Sequence, residues 1–346
     1  MNGRERVLAT INGQPHDRVP VAQHNFPFAA RHVGITMEQF RRAPDKAARA
    51  LADTAHDFGY DCIIMDMDTC TLAEACGATC QFPEDEPARV VRPAVKAIQD
   101  VPGLPLPDPH ASGRLPLWLE TTRCLRRLVG DELAIMGRAD QGPFGLLFLL
   151  RDSREFLMDL MEVEEGVILA ALEHCAHAGA SFARAQLEAG ADITSIGDSA
   201  AGQSVVSPRV YHRFAQPMEK RYRRLMGPGL LSLHICGKTD QIIAGMAATG
   251  AEILELDHWN DLEATFKAIP QQTCVFGNLD PASVLAQGTA ELVRQRSLKA
   301  IEIARRADGR LILCPGCTVG ANTPPENVRA MSDAARQTGN RRGESM

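Results

Sequence analysis

Apolar positions along the chain follow two alternating patterns. Short aliphatic or β-branched runs recur at eight places: "VPVAQ" (19–23), "DCIIMDMD" (61–68), "ELAIMGRAD" (132–140), "DITSIGDS" (192–199), "LLSLHICG" (230–237), "EILELD" (252–257), "CVFGNLD" (274–280) and "RLILCPGC" (310–317). Between them lie longer stretches of helical pattern, among them 163–189, which is apolar on one face. Strands that alternate with helices pair in parallel through crossover connections. Eight such units predict an α/β fold, a (β/α)8 TIM barrel with an N-terminal helical extension. Residues 1–340 are expected to form one domain, and 341–346 a disordered tail.

Local signals mark the helix starts. Thr323-Pro324-Pro325-Glu326 offers an N-cap, a proline at the first helical position and a capping-box carboxylate. Ser207-Pro208 does the same for a helix over 208–226, and Asp280-Pro281 for the helix after the seventh strand. Thr36 and Gln39 stand at capping-box spacing. Residues 83–118 are proline-rich and read as a long insertion between the second and third strands, suited to a lid or a dimer surface.

Composition narrows the function. The net charge is −6, with no basic block, so nucleic acid is not an expected partner. No apolar run reaches membrane-spanning length, and the first residues do not read as a signal peptide. The expected location is the cytoplasm. The ten cysteines are then buried thiols, reactive thiols or metal ligands.

In a barrel of this kind the chemistry sits at the C-terminal ends of the strands. Those ends carry Gln23 and His24, Asp66 and Asp68, Arg138 and Asp140, Asp198, His234 and Cys236, Asp257, Asn278 and Asp280, and Cys314 and Cys317. Such a concentration of polar and metal-capable side chains points to an enzyme. His234 and Cys236, two apart on a strand, share a face. Alone, they also fit a core histidine beside a buried thiol. "CPGC" brings further thiols to the same mouth, and one histidine with two cysteines is a normal zinc set. A redox CxxC would instead open a helix after an early strand. Cys76 and Cys80 could meet on a helix but read as buried thiols. Met67, Phe144 and Phe26 read as core. The chain has no GxSxG, no glycine-rich phosphate loop and no HExxH.

The stretches "DRVPV" (17–21), "DTCTLAEACGA" (68–78), "GDSAAGQSVVSPRVYHRFAQP" (197–217), "LHICGKT" (233–239), "LELDH" (254–258), "VFGNLDP" (275–281) and "PGCTVGANTPPENVRAM" (315–331) carry a resemblance. The chain resembles the uroporphyrinogen decarboxylase-like superfamily, and within it the zinc-dependent corrinoid methyltransferases. That resemblance implies zinc held by His234, Cys236 and Cys317. Cys317 is preferred to Cys314 for its Gly-Cys context upstream of the Thr-Pro helix start. It further implies a cobalamin carried by a partner corrinoid protein and a small methyl donor or acceptor, such as a phenyl methyl ether or a methyl thiol. A homodimer is compatible with it. Asp257 and Asp198 are the catalytic candidates, with Glu255 in reserve for Asp257. His24, Asp68, Glu74 and Asn278 are candidates for contact with substrate or corrinoid. Two other functions compete: a metal-free tetrapyrrole decarboxylase, and a non-catalytic barrel that only binds a corrinoid protein. The decarboxylases' arginine-bearing N-terminal motif is missing from "VAQHNFPFAARHVG", although Arg31 lies there.

Overall fold

The computed structural model describes residues 1–84 and 86–339, so the expected tail at 341–346 lies outside the described residues. Eight parallel strands form one sheet: β1 (Ala22–Gln23), β2 (Cys62–Met65), β5 (Ala134–Gln141), β6 (Ile193–Gly197), β7 (Leu230–Ile235), β8 (Ile253–Leu256), β9 (Cys274–Leu279) and β10 (Arg310–Pro315), paired in that order. A two-stranded antiparallel hairpin, β3 (Thr79–Gln81) and β4 (Arg89–Arg92), stands apart. Val21 bridges to Leu313 in parallel, and the Leu313 amide donates to Pro20 O at 2.9 Å. The sheet therefore closes on itself as a (β/α)8 barrel. All eight predicted strands are present.

Both faces of these strands are buried, which is why they read as continuous apolar runs rather than as alternations. On β7, Leu231, Leu233 and Ile235 belong to the large outer core beneath the helices. Ala22, Cys62, Ile64, Met136, Ile193, Ile253, Phe276 and Ile312 form a separate inner core. Val7 and Ile11 of the N-terminal helix Gly3–Ile11 join that inner core. The Arg4 amide donates to Glu132 O at 3.1 Å, and Arg6 pairs with Asp61 at 2.5 Å, both just ahead of barrel strands. The helix thus covers the end of the barrel opposite the strand C-termini.

The capping box of Thr36 and Gln39 opens helix Met37–Arg42, and the long helix runs Glu165–Glu188. Two helical expectations are corrected. The 208–226 segment is not one uniform α-helix: a wide turn, Tyr211–Ala215, separates Pro208–Val210 from Gln216–Met226. Pro217 has no N–H to continue the regular ladder there. Asp280-Pro281 opens only the short segment Pro281–Ala286. Thr289, whose hydroxyl accepts from the Leu292 amide, caps the long helix Ala290–Arg306. Cys76 and Cys80 do not share a helix either. Cys76 ends helix Thr71–Ala75, while Cys80 lies half-buried on β3 and donates to Cys70 O at 3.6 Å.

The insertion contains β4, a 3-10 turn at Ile98–Gly103 and the start of helix Leu115–Val129. Val95, Ile98 and Val101 pack into the outer core, so the insertion is anchored to the barrel. Among the described residues, no helix is long and apolar enough to cross a membrane.

Candidate metal centre

Three donors meet at the C-terminal end of the barrel. His234 Nε2 lies 2.8 Å from Cys236 Sγ, and Cys236 Sγ lies 3.7 Å from Cys317 Sγ. All three donor atoms fall within 4.8 Å of one another, the one such His/Cys/Asp/Glu group among the described residues. Two thiolates bound tetrahedrally to zinc at ~2.3 Å stand about 3.8 Å apart, so the observed sulfur pair already has the required spacing. An imidazole nitrogen and a sulfur on the same ion stand about 3.6 Å apart, so His234 would withdraw by less than about 1 Å. The donor set fits zinc.

The sequence folds this way for identifiable reasons. His234 is the last inward-facing residue of β7, and Gly237, at φ +78°, turns the chain just after Cys236. Nδ1–H of His234 points at Glu255 O, 3.2 Å away, which leaves the Nε2 lone pair aimed at the sulfurs. Gly316, between β10 and Cys317, packs so closely that a Cβ there would lie 2.5 Å from the His258 amide nitrogen. Cys314 is excluded from the cluster. It faces the inner core, and burial pushes its thiol far up.

The electrostatics favour one thiolate. The hydrogen bond with Cys317 lowers Cys236 to about 7 against the opposing effect of burial, with help from Ser199 Oγ. Cys317 is correspondingly pushed up to about 11, by Cys236 first and then by burial. Burial opposes a charged His234, but Cys317 and Glu255 outweigh it and its pKa rises.

Beneath the donors runs a buried ionic chain. Arg138 reaches Glu255 at 3.3 Å, Ser195 Oγ at 2.6 Å and Asp66 at 3.5 Å. Asp66 in turn holds His24 Nε2 at 2.6 Å, and His24 Nδ1 meets Thr318 Oγ1 at 3.1 Å. Glu255 also accepts from the Ser195 and Ser232 hydroxyls. Glu255 is held at about 2: burial opposes ionisation, but Arg138 and His234 overcome it. Ser195 and Ser232 are absent from the sequence candidates, although a serine inside an apolar strand run is the signal that marks them.

The remaining sequence candidates take up supporting positions. Asp257 Oδ2 accepts from the Gly237 amide at 2.7 Å, directly behind Cys236. Asn278 Nδ2 donates to Asn260 O at 2.7 Å, and Asn260 holds both Gly237 O and the Thr239 amide. His24 shares a small enclosed cavity of about 10 Å³ with His234, Glu255 and Cys317. Asp68 and Glu74 do not join the donors. Both pair with Arg114 of the insertion, at 2.8 and 3.1 Å, and Asp68 also caps the turn into Thr71. Asp198 is fully buried and accepts from the Phe144 and Gly145 amides at the start of helix Pro143–Arg151. Burial raises its pKa to about 7, next to Glu219.

The profile of the family described as uroporphyrinogen decarboxylase (URO-D) matches residues 2–338. The chain belongs to that family. Two of the proteins it is similar to carry different names. It is 27% identical over 341 residues to "Methylcobamide:CoM methyltransferase MtbA" of Methanosarcina acetivorans, covering 96% of this chain and 97% of the relative. It is 30% identical over 337 residues to "Uroporphyrinogen decarboxylase" of Thermus thermophilus, covering 93% and 95%. In structure it matches a "methyltransferase from Methanosarcina mazei" with a TM-score of 0.89, at 24% identity and over 98% of this chain and 99% of that one. That last likeness concerns the fold.

Proposed function

We propose that this protein is a zinc-dependent methyltransferase. It moves a methyl group between a small substrate, a phenyl methyl ether, a methyl thiol or a similar molecule, and the cobalt of a cobalamin on a partner corrinoid protein. The observation that carries this reading is the cluster of His234, Cys236 and Cys317 at the strand ends. The likeness to the methylcobamide:CoM methyltransferase supports it. A tetrapyrrole decarboxylase needs free guanidinium groups for its substrate's carboxylates. Here Arg138 is committed to Glu255 and Asp66, and Arg114 to Asp68 and Glu74.

Zinc bound here would keep a substrate sulfur or oxygen anionic at neutral pH. This chain's own residues do the positioning. His234, Cys236 and Cys317 are the ligands, and Glu255 O orients the imidazole. Asp257 and Asn260 clamp the turn that carries Cys236. His24 and Asn278 are the contacts this reading assigns to substrate or corrinoid. Arg114 fixes Asp68 and Glu74 at the rim, and Asp198 anchors the end of β6 beside the ligand strand. The cytoplasm is the expected compartment.

The test is spectroscopic. Purified protein given methylcobalamin and a thiol, or cob(I)alamin and a phenyl methyl ether, should change the corrinoid spectrum only with zinc bound. Metal-independent release of CO₂ from uroporphyrinogen would overturn the reading.

Asp257 gives a separate prediction. Asp257→Ala frees the Gly237 amide and should weaken zinc binding about 10- to 100-fold, in line with other partners that support ligands. Competition with a chromogenic chelator measures it. Asp257→Asn retains an acceptor and should lose less. Equal affinities in all three proteins would remove Asp257 from the site.

A further inference from the structure

A second cleft opens beside the mouth and shares Asn260 and Asn278 with the surroundings of the metal centre. Its volume is about 470 Å³, within the ~300–1,000 Å³ range of small-molecule sites. Loop 258–262, the segment after β9 and helix Ala290–Arg306 enclose it. Leu262, Leu279, Val284 and Ala300 give it a buried apolar floor. Trp259 stands at its edge, 63% exposed, whereas the chain's other tryptophan, Trp118, is fully buried. A large aromatic side chain left in water beside an apolar floor is a stacking surface in need of a partner.

The charges of the cleft are unequal in commitment. Its two carboxylates keep their charge but are turned to their own backbone. Asp261 accepts from the Ala264 amide, and Asp280 accepts from the Ala282 and Ser283 amides and lies 3.5 Å from His258 Nε2. Its two cations, Arg296 and Lys299, are one helical turn apart and have no ion-pair or hydrogen-bond partner among the described residues. The cleft therefore offers two free positive groups and one free aromatic face.

We propose that this cleft binds a planar aromatic anion, a ring carrying a carboxylate or a phosphate, with the ring on Trp259 and the charge on Arg296 and Lys299. An isolated inorganic anion would leave the indole and the apolar floor wet. An uncharged ring would leave both cations unpaired. The cleft does not include the three metal-centre donors, so its occupancy can be read without zinc or methyl transfer.

The experiment titrates the protein with benzoate, AMP and acetate while following Trp259 fluorescence, since buried Trp118 supplies a constant background. Saturable quenching by benzoate or AMP is expected, and the tighter of the two identifies the source of the ring. The Arg296→Ala/Lys299→Ala double variant, at exposed helical positions where alanine is a good helix former, should bind about tenfold or more weakly. Calorimetry on Trp259→Ala should find a comparable loss. The proposal is overturned if neither ring-bearing probe saturates, if the double variant binds as the wild type does, or if acetate binds as tightly as benzoate.

Discussion

Cys317→Ala is expected to empty the metal centre. Wild-type protein should purify with about one zinc per chain, and the variant with almost none, because two donors rarely retain an ion that needs at least three protein ligands. Methyl transfer should fall by more than about 100-fold, since even partners that merely support ligands are worth about 10- to 100-fold. The fold should survive. Cys317 lies beyond the last residue of β10 and belongs to neither apolar core. Circular dichroism and a thermal melt then separate a lost ion from a lost barrel. Cys314→Ala is the control. Its thiol faces the inner core and should leave zinc content unchanged, at a modest cost in packing. Zinc retained by Cys317→Ala and lost by Cys314→Ala would reverse the ligand assignment.

The legibility of this site in the sequence follows from barrel geometry. A strand buried on both faces announces itself as an apolar run, and the eight runs were enough to count the strands. The barrel also fixes which strand ends meet, so the sequence alone brings residues as distant as Cys236 and Cys317 to one mouth. What the sequence withheld was partnership. Asp68 stands at a strand end like Asp257, yet it turns to Arg114, a residue of the insertion whose path no periodicity reveals. Asp198 also stands at a strand end, but it is taken by the amides of Phe144 and Gly145, at a helix start distant in sequence. Helix breaks are hidden from the sequence for a different reason. Pro217 lies inside a helical pattern, and Asp280-Pro281 has all the marks of a helix start, but how far each helix runs depends on ladder geometry rather than residue type.

The largest effect on stability is expected at Arg138. The residue is 4% exposed, and its guanidinium faces two buried carboxylates, Glu255 and Asp66. Arg138→Met keeps much of the side-chain volume but removes the cation that the two acids share, leaving Asp66 with His24 and Glu255 with His234 and two serine hydroxyls. Removing one member of a buried ion pair costs about 3–5 kcal/mol, because the abandoned charge stays desolvated. Pairing the change with Glu255→Leu should recover part of that loss, since an apolar replacement needs no counter-charge. The pH dependence gives an independent sign. In the wild type, Glu255 titrates near 2 when folded and near about 4.3 when unfolded. Its contribution is therefore complete above the unfolded value and disappears as pH falls toward 2. In Arg138→Met the order reverses. Burial, opposed only by His234 and two serine hydroxyls once the guanidinium is gone, is expected to raise the folded carboxyl above its unfolded value, so the variant should lose stability as pH rises from the unfolded value to the raised one. Thermal melts of both proteins between about pH 2 and pH 8 measure this. Parallel curves, or a deficit below about 1 kcal/mol, would mean that solvent already screens these charges.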